Sequence, residues 1–162
     1  MSAGAVLGRA ELREIVAGLA ADPRPWAHLA RHDAARRVFE CLRLDDQLEI
    51  WLICWMRGHD TGFHDHDLSS GAVVVAQGAV VEDRLRLGAP PEVRRYVPGD
   101  VFDFSPVGIH RVTHAGSTPA TTLHAYSPPL RRIGAYLIQP GGTIERHPMA
   151  KDQELRPLSS AA

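Results

Sequence analysis

The stretch HDHDLSSG at residues 64–71 sets two imidazoles one residue apart, each followed by an aspartate. On an extended chain, residues i and i+2 point to the same side, so His64 and His66 can reach one metal ion together. His110 follows the turn-forming PVG of residues 106–108 and can bring a third ring nitrogen from another strand. In TTLHAY, residues 121–126, Thr122, His124 and Tyr126 alternate. If that stretch is a strand, a hydroxyl, an imidazole and a phenol share one face, and taken alone this reads as a core strand with a buried, hydrogen-bonded histidine. Taken alone, the two-histidine pair is a weak signal, because a histidine is more often a surface or hydrogen-bonded core residue than a ligand. Imidazole ligands suit iron, zinc, nickel or copper alike, so the ligand type does not choose the metal.

The elements that must position these residues are mostly strands. Residues 10–21 carry Leu12, Ile15, Val16 and Leu19 at the spacing of one helical face, which predicts an N-terminal helix. Asp22-Pro23-Arg24-Pro25 breaks it, and a second helical stretch is expected from Trp26 to about Arg36. From Val38 onward, short β-branched and aromatic runs alternate with turn residues. QLEIWLICWM, AVVVAQG, AVVEDRLRL, VRRYV, VFDF, HRVTH, ATTLHAY and AYLIQ read as strands. The expected fold is all-β: one domain over 1–162, with a helical cap at 1–37, a barrel at 38–148 and a polar, solvated tail at 149–162.

Composition excludes several classes. The 162 residues are 44% hydrophobic and 23% charged, with a formal net charge of -1 and no basic cluster interleaved with aromatics. Nothing here resembles a nucleic-acid binder. The apolar run Ile50–Met56 is too short to span a bilayer, and the N-terminus lacks the pattern of a signal peptide. Cys41 and Cys54 read as reduced thiols of a cytoplasmic protein.

The spacing from Gly58 through His64, His66 and Gly71 to Gly78, then from Gly99 through Pro106 and Gly108 to His110, resembles the two-motif signature of the cupin fold. That resemblance implies a double-stranded β-helix, or jelly-roll, barrel. Gly71 stands where cupins carry a glutamate ligand, and Pro106 is displaced by one position. Three neutral nitrogen ligands would leave the metal its full positive charge and open positions, which suits a substrate that brings its own anion, such as a thiolate.

ICWMRGHDTGFHDHD, AVVVAQGAVVED, GIHRVTH and TTLHAYSPPL occur in order, over roughly residues 47–130, as in the cysteine dioxygenase family of thiol dioxygenases, which the chain resembles. The resemblance implies a mononuclear non-haem Fe(2+) held by His64, His66 and His110. It further implies a small-molecule thiol and dioxygen as substrates, with both oxygen atoms ending on sulfur as a sulfinate. Thr122, His124 and Tyr126 match the family's Ser-His-Tyr relay, with threonine in place of serine. Gly71 falls where animal members have a cysteine cross-linked to the tyrosine, so Tyr126 is expected to be free. The match of Ser127-Pro128-Pro129 implies a cis Ser127–Pro128 bond.

A carboxylated thiol needs a cationic anchor, and arginine offers a bidentate one. Of Arg36, Arg37 and Arg43, the choice is Arg37, which best matches the family's arginine at the start of the strand. The tyrosine that often accompanies it is missing, which leaves cysteine, 3-mercaptopropionate and other mercapto acids open. His59 reads as structural and His114 as a loop contact; Asp65 and Asp67 could orient the ligand histidines, with solvated turn residues the plainer reading. No nucleic acid or membrane partner is expected, and the chain should be a monomer or weak dimer. Two other readings remain: a cupin metalloenzyme of another class, such as an isomerase or non-thiol dioxygenase, and a non-catalytic small-molecule-binding cupin. The Tyr126–His124 pair and the missing glutamate favour the thiol chemistry over the first. The three retained histidines argue against the second.

Overall fold

The computed structural model describes residues 5–160. One helix, α1 (Arg9–Ala21), precedes eleven strands: β1 (Val38–Leu44), β2 (Glu49–Trp55), β3 (His64–Asp65), β4 (Ser70–Gln77), β5 (Ala79–Arg86), β6 (Ala89–Tyr96), β7 (Val101–Phe104), β8 (His110–Ala115), β9 (Ala120–Ser127), β10 (Arg132–Ile138) and β11 (Ile144–Ala150). They form a five-stranded sheet in the order β1-β2-β9-β4-β7 and a six-stranded sheet in the order β11-β10-β3-β8-β5-β6. Every pairing is antiparallel. The sheets share one core, in which Val73, Val75, Phe102 and Ala120 meet Val80 and Val112. This is the expected jelly-roll.

Both faces of the five-stranded sheet are covered, which explains why its central strands read as continuous apolar runs. Leu12 and Val16 of α1 lie over Ile50, Leu52, Ala72, Val74, Leu123 and Ala125 on the outer face. Burying each of those two side chains is worth on the order of 1.5–3 kcal/mol. The opposite parity of β9 therefore turns Thr122, His124 and Tyr126 into the barrel. The helix start is fixed by the Glu11 carboxylate, which accepts the Gly8 N–H at 2.7 Å.

Three local expectations are corrected. The second helical stretch is a single 3-10 turn at Ala27–Leu29. Beyond it the Asp33 carboxylate accepts the Ala35 N–H at 2.8 Å, a local bond that competes with helix, and the His32 ring is tied to the Ala120 carbonyl at 2.9 Å. The barrel runs past residue 148, because β11 pairs with β10 along its whole length. Pro148 is tolerated there since β11 is an edge strand. The tail also folds back: Leu155 is buried against Ile133 and Ala135, and Glu154 accepts the Arg37 backbone N–H at 2.9 Å. The Ser127–Pro128 bond is cis.

Candidate metal centre

His64 and His110 face each other as partners in the β3–β8 ladder. Strand β3 ends at Asp65, and His66 follows in a turn closed by the Ser69 N–H on the His66 carbonyl at 3.0 Å. The alternation of an extended chain still carries His66 to the same cavity. One nitrogen from each of the three rings lies within 4.8 Å of the others, and all three residues are buried. Ring centroids stand 4.7 Å apart for His64–His110, 4.8 Å for His64–His66 and 5.1 Å for His66–His110.

The outer nitrogens decide what the inner ones can do. His64 Nδ1 lies 3.0 Å from the Gly62 carbonyl, and His110 Nδ1 lies 2.8 Å from Glu82 Oε1. A carbonyl and a carboxylate only accept, so each Nδ1 carries a proton, which leaves Nε2 as the nitrogen placed to bind a metal. Burial, then the neighbouring His110, holds His64 well below the ordinary imidazole value. Burial, then His64 and His110, does the same to His66. Two neutral imidazoles with a third beside them, converging on one buried point, are a donor set that fits a divalent transition metal.

Glu82 was not singled out in the sequence. It is 1% exposed. Burial alone would raise its pKa, but the bond to His110, then the bond from Arg84 and its charge, hold it lowered, hence ionised. Its other oxygen accepts from Arg84 Nε at 2.9 Å and Tyr96 Oη at 3.2 Å. The available signal was an acid in the inward register of the apolar strand AVVE. Carboxylate partners of this kind orient a ligand imidazole and raise its basicity. Glu82→Gln, which keeps the shape and removes the charge, is expected to weaken Co(II) binding roughly tenfold or more. Chelator competition checks this, and unchanged affinity would leave Glu82 as packing only.

On the facing sheet, Trp55 Nε1 donates to Thr122 Oγ1 at 2.8 Å. Thr122 Oγ1 lies 2.7 Å from His124 Nε2, and His124 Nδ1 lies 3.2 Å from Tyr126 Oη. Burial, then His110 and Arg37, pushes His124 down to about 3. Burial, then Glu49, pushes the Tyr126 phenol above its ordinary value. The chain is therefore a neutral imidazole between two neutral hydroxyls. The Tyr126 ring lies 5.2 Å from that of His66.

These histidines set an acid limit on the fold. His64, His66 and His124 stay neutral in the native state, while the unfolded chain protonates them near 6.5. Below that value the unfolded state binds more protons, so stability falls as pH falls. The metal-free protein is expected to lose up to about 1.4 kcal/mol per pH unit for each such histidine between about pH 6.5 and pH 5. Asp65 does not contribute in that window: burial would raise it, but Arg146 and Tyr136 hold it at about 2, so its share is lost only near and below pH 4. Urea unfolding across the range reads the slope, and a flat profile would mean the histidines titrate in the folded state.

Of the three arginines, only Arg37 faces the cavity. Its guanidinium lies over Trp55, 4.9 Å from the ring centroid, and donates to the Asp60 carbonyl at 3.3 Å and to the Leu155 carbonyl. Burial, offset by Glu154 and Asp60, brings it to about 10, so it is charged at neutral pH. Arg36 and Arg43 are exposed and paired with Asp33 and Asp45. Asp65 is no solvated turn residue: it is buried, and its carboxylate accepts from Arg146 at 2.7 and 2.9 Å and from Tyr136. It clamps β3 to β10 and β11 and faces away from the ring cluster. His59 Nδ1 accepts the Met56 N–H at 3.0 Å, and His114 Nε2 meets the Thr118 carbonyl at 2.7 Å, both local structural contacts. Cys41 and Cys54 are unpaired. None of the described helices is long and apolar enough to cross a membrane.

The family model for cysteine dioxygenase type I matches residues 3–138. Cysteine dioxygenase type 1 of Homo sapiens is 26% identical over 136 residues, covering 78% of this chain and 68% of that protein. The Danio rerio protein of the same name is 25% identical over 132 residues, and the match spans 75% of this chain and 66% of the relative's length. Among solved structures, a cupin superfamily protein from Desulfitobacterium hafniense superposes with a TM-score of 0.54 at 18% identity, covering 64% of this chain and 87% of that one. An RmlC-like cupin from Desulfovibrio desulfuricans gives 0.54 at 22%, covering 62% and 91%. The fold is thus a cupin, and the family match takes in every strand that carries a histidine of the cluster. The chain belongs to the cysteine dioxygenase type I family.

Proposed function

We propose that the chain is a mononuclear non-haem Fe(II) thiol dioxygenase that converts a small carboxylated thiol and dioxygen to the sulfinic acid. The thiol sulfur gains both oxygen atoms and is oxidised by four electrons, which reduce dioxygen. The observation that carries the reading is one cavity of about 70 Å3 lined together by His64, His66, His110, Tyr126, His124 and Arg37. His64, His66 and His110 would hold the iron. Fe(II) there would supply a site where thiolate and dioxygen meet and exchange electrons. Arg37 would bind the carboxylate, and Tyr126, oriented by His124 and Thr122, would donate a hydrogen bond to the reacting atoms. Trp51, Trp55, Leu130, Ile133 and Leu155 form its apolar walls.

The test is anaerobic reconstitution with Fe(II), followed by oxygen uptake and sulfinate detection with cysteine, 3-mercaptopropionate, cysteamine, mercaptosuccinate and homocysteine. One sulfinate per dioxygen from a carboxylated thiol is the expected result. Bound iron with no uptake for any of them would point to another class of cupin chemistry. Tyr126→Phe is expected to keep its iron and lower sulfinate formation by about 10²-fold, the scale of a positioned proton donor. Oxygen uptake in excess of sulfinate would accompany it. Unchanged turnover would remove the phenol from the reaction.

A further inference from the structure

The three rings of the cluster are not held alike. His64 has the Gly62 carbonyl on its outer nitrogen and His110 has Glu82. His66 Nδ1 is, among the described residues, the one buried side-chain nitrogen or oxygen without a hydrogen-bond partner. A metal-binding histidine is ordinarily oriented through that atom. What His66 has instead is Phe104. The two rings stack with centroids 4.3 Å apart and planes 19° apart, and the same phenyl lies 4.6 Å from the His110 ring.

Gly71 explains how the phenyl fits there. It pairs with Phe104 across β4–β7 and with Tyr126 across β4–β9. Its backbone is not among those with positive φ, so the chain path does not demand glycine. A Cβ at that position, however, would stand 2.2 Å from Cζ and 2.5 Å from Cε2 of Phe104. Any side chain at 71 would push the ring off its place.

We propose that Phe104 is the positioning residue of His66, and that residue 71 is glycine because the Phe104 ring occupies the space of its side chain. The centre is held by two hydrogen-bonded histidines and one stacked histidine. The proposal rests on the reading that the three histidines bind a divalent metal. Phe104→Leu removes the flat face and keeps most of the volume. Gly71→Ala keeps the phenyl and forces the buried ring aside.

The experiment measures Co(II) affinity by chelator competition and the Co(II) visible absorption spectrum, in the wild type, both single variants and the double variant, with thermal unfolding of each metal-free form. Each single variant is expected to bind Co(II) about 10- to 100-fold more weakly, the effect of losing an outer partner, with a changed spectrum. The double variant is expected to fall close to Phe104→Leu alone, because the added methyl then meets open space. Variants that melt earlier but keep wild-type affinity and spectrum would overturn the proposal and leave Phe104 a core residue. Additive losses would overturn the link to Gly71, and loss of cooperative unfolding in all variants would assign the pair to the fold alone. A wild type that binds no Co(II) would remove the metal reading itself, and the proposal with it.

Discussion

His110→Ala is expected to abolish metal binding and turnover together. The residue stands at the start of β8, opposite His64, and its Nε2 faces the two other rings while Nδ1 is fixed by Glu82. Its removal leaves two nitrogens, one of which lacks any hydrogen-bonded support. The loss should therefore exceed the roughly 10- to 100-fold that altering an outer partner such as Glu82 produces. The variant should still fold. Glu82 loses one partner but keeps Arg84 and Tyr96, so the cost to the metal-free protein should be on the order of 1–3 kcal/mol, the usual penalty for a buried polar group left short of a bond. Metal content after reconstitution, oxygen uptake and urea unfolding separate the two effects. Full turnover with one iron per chain would take His110 out of the ligand set.

The sequence shows most clearly the residues whose placement follows from periodicity. Thr122, His124 and Tyr126 lie on one face because a strand has a period of two, and the structure bonds them in that order. His64 and His66 face one way for the same reason, although the strand itself is only two residues long. What periodicity cannot show is which strands become neighbours. Glu82 reaches His110 only because β5 pairs with β8, a contact between residues 28 apart in the chain. The Phe104–Gly71 contact likewise depends on the β4–β7 register. Strand β11 gives no apolar alternation because most of its residues face solvent. The tail offers two apolar anchors, the buried Leu155 and the half-buried Leu158, within a polar run, too little to announce that it closes one side of the cavity.

Charge balance in the cavity favours anionic ligands. The buried carboxylates near it are already engaged: Glu82 by His110 and Arg84, and Glu49 by Lys151 at 3.0 Å, Trp51 at 2.8 Å and the Leu130 N–H at 2.7 Å. The histidines His64, His66 and His124 are neutral. Arg37, over the aromatic wall, and Lys151, paired with Glu49, are the cations that line the cavity; the Glu154 carboxylate beside them is taken by Arg156 and the Arg37 N–H, and a divalent metal would add further positive charge. A thiolate and a carboxylate on one small molecule would meet both.

Arg37→Ala is accordingly expected to raise the apparent KM for carboxylated thiols about 10- to 100-fold, as expected from losing one charge-assisted hydrogen-bonded contact. Cysteamine, which has no carboxylate, should be unaffected. That contrast is needed because Arg37 also has a structural task. It donates to the Asp60 and Leu155 carbonyls and so ties the returning tail to the barrel. A purely structural loss would loosen that wall and weaken all thiols alike, with a lower melting temperature. Arg37→Lys separates the roles further: it keeps the charge but loses the planar fork, so it should recover part of the KM effect and little of the tie to the tail. Equal losses for 3-mercaptopropionate and cysteamine would show that Arg37 shapes the cavity without anchoring the substrate.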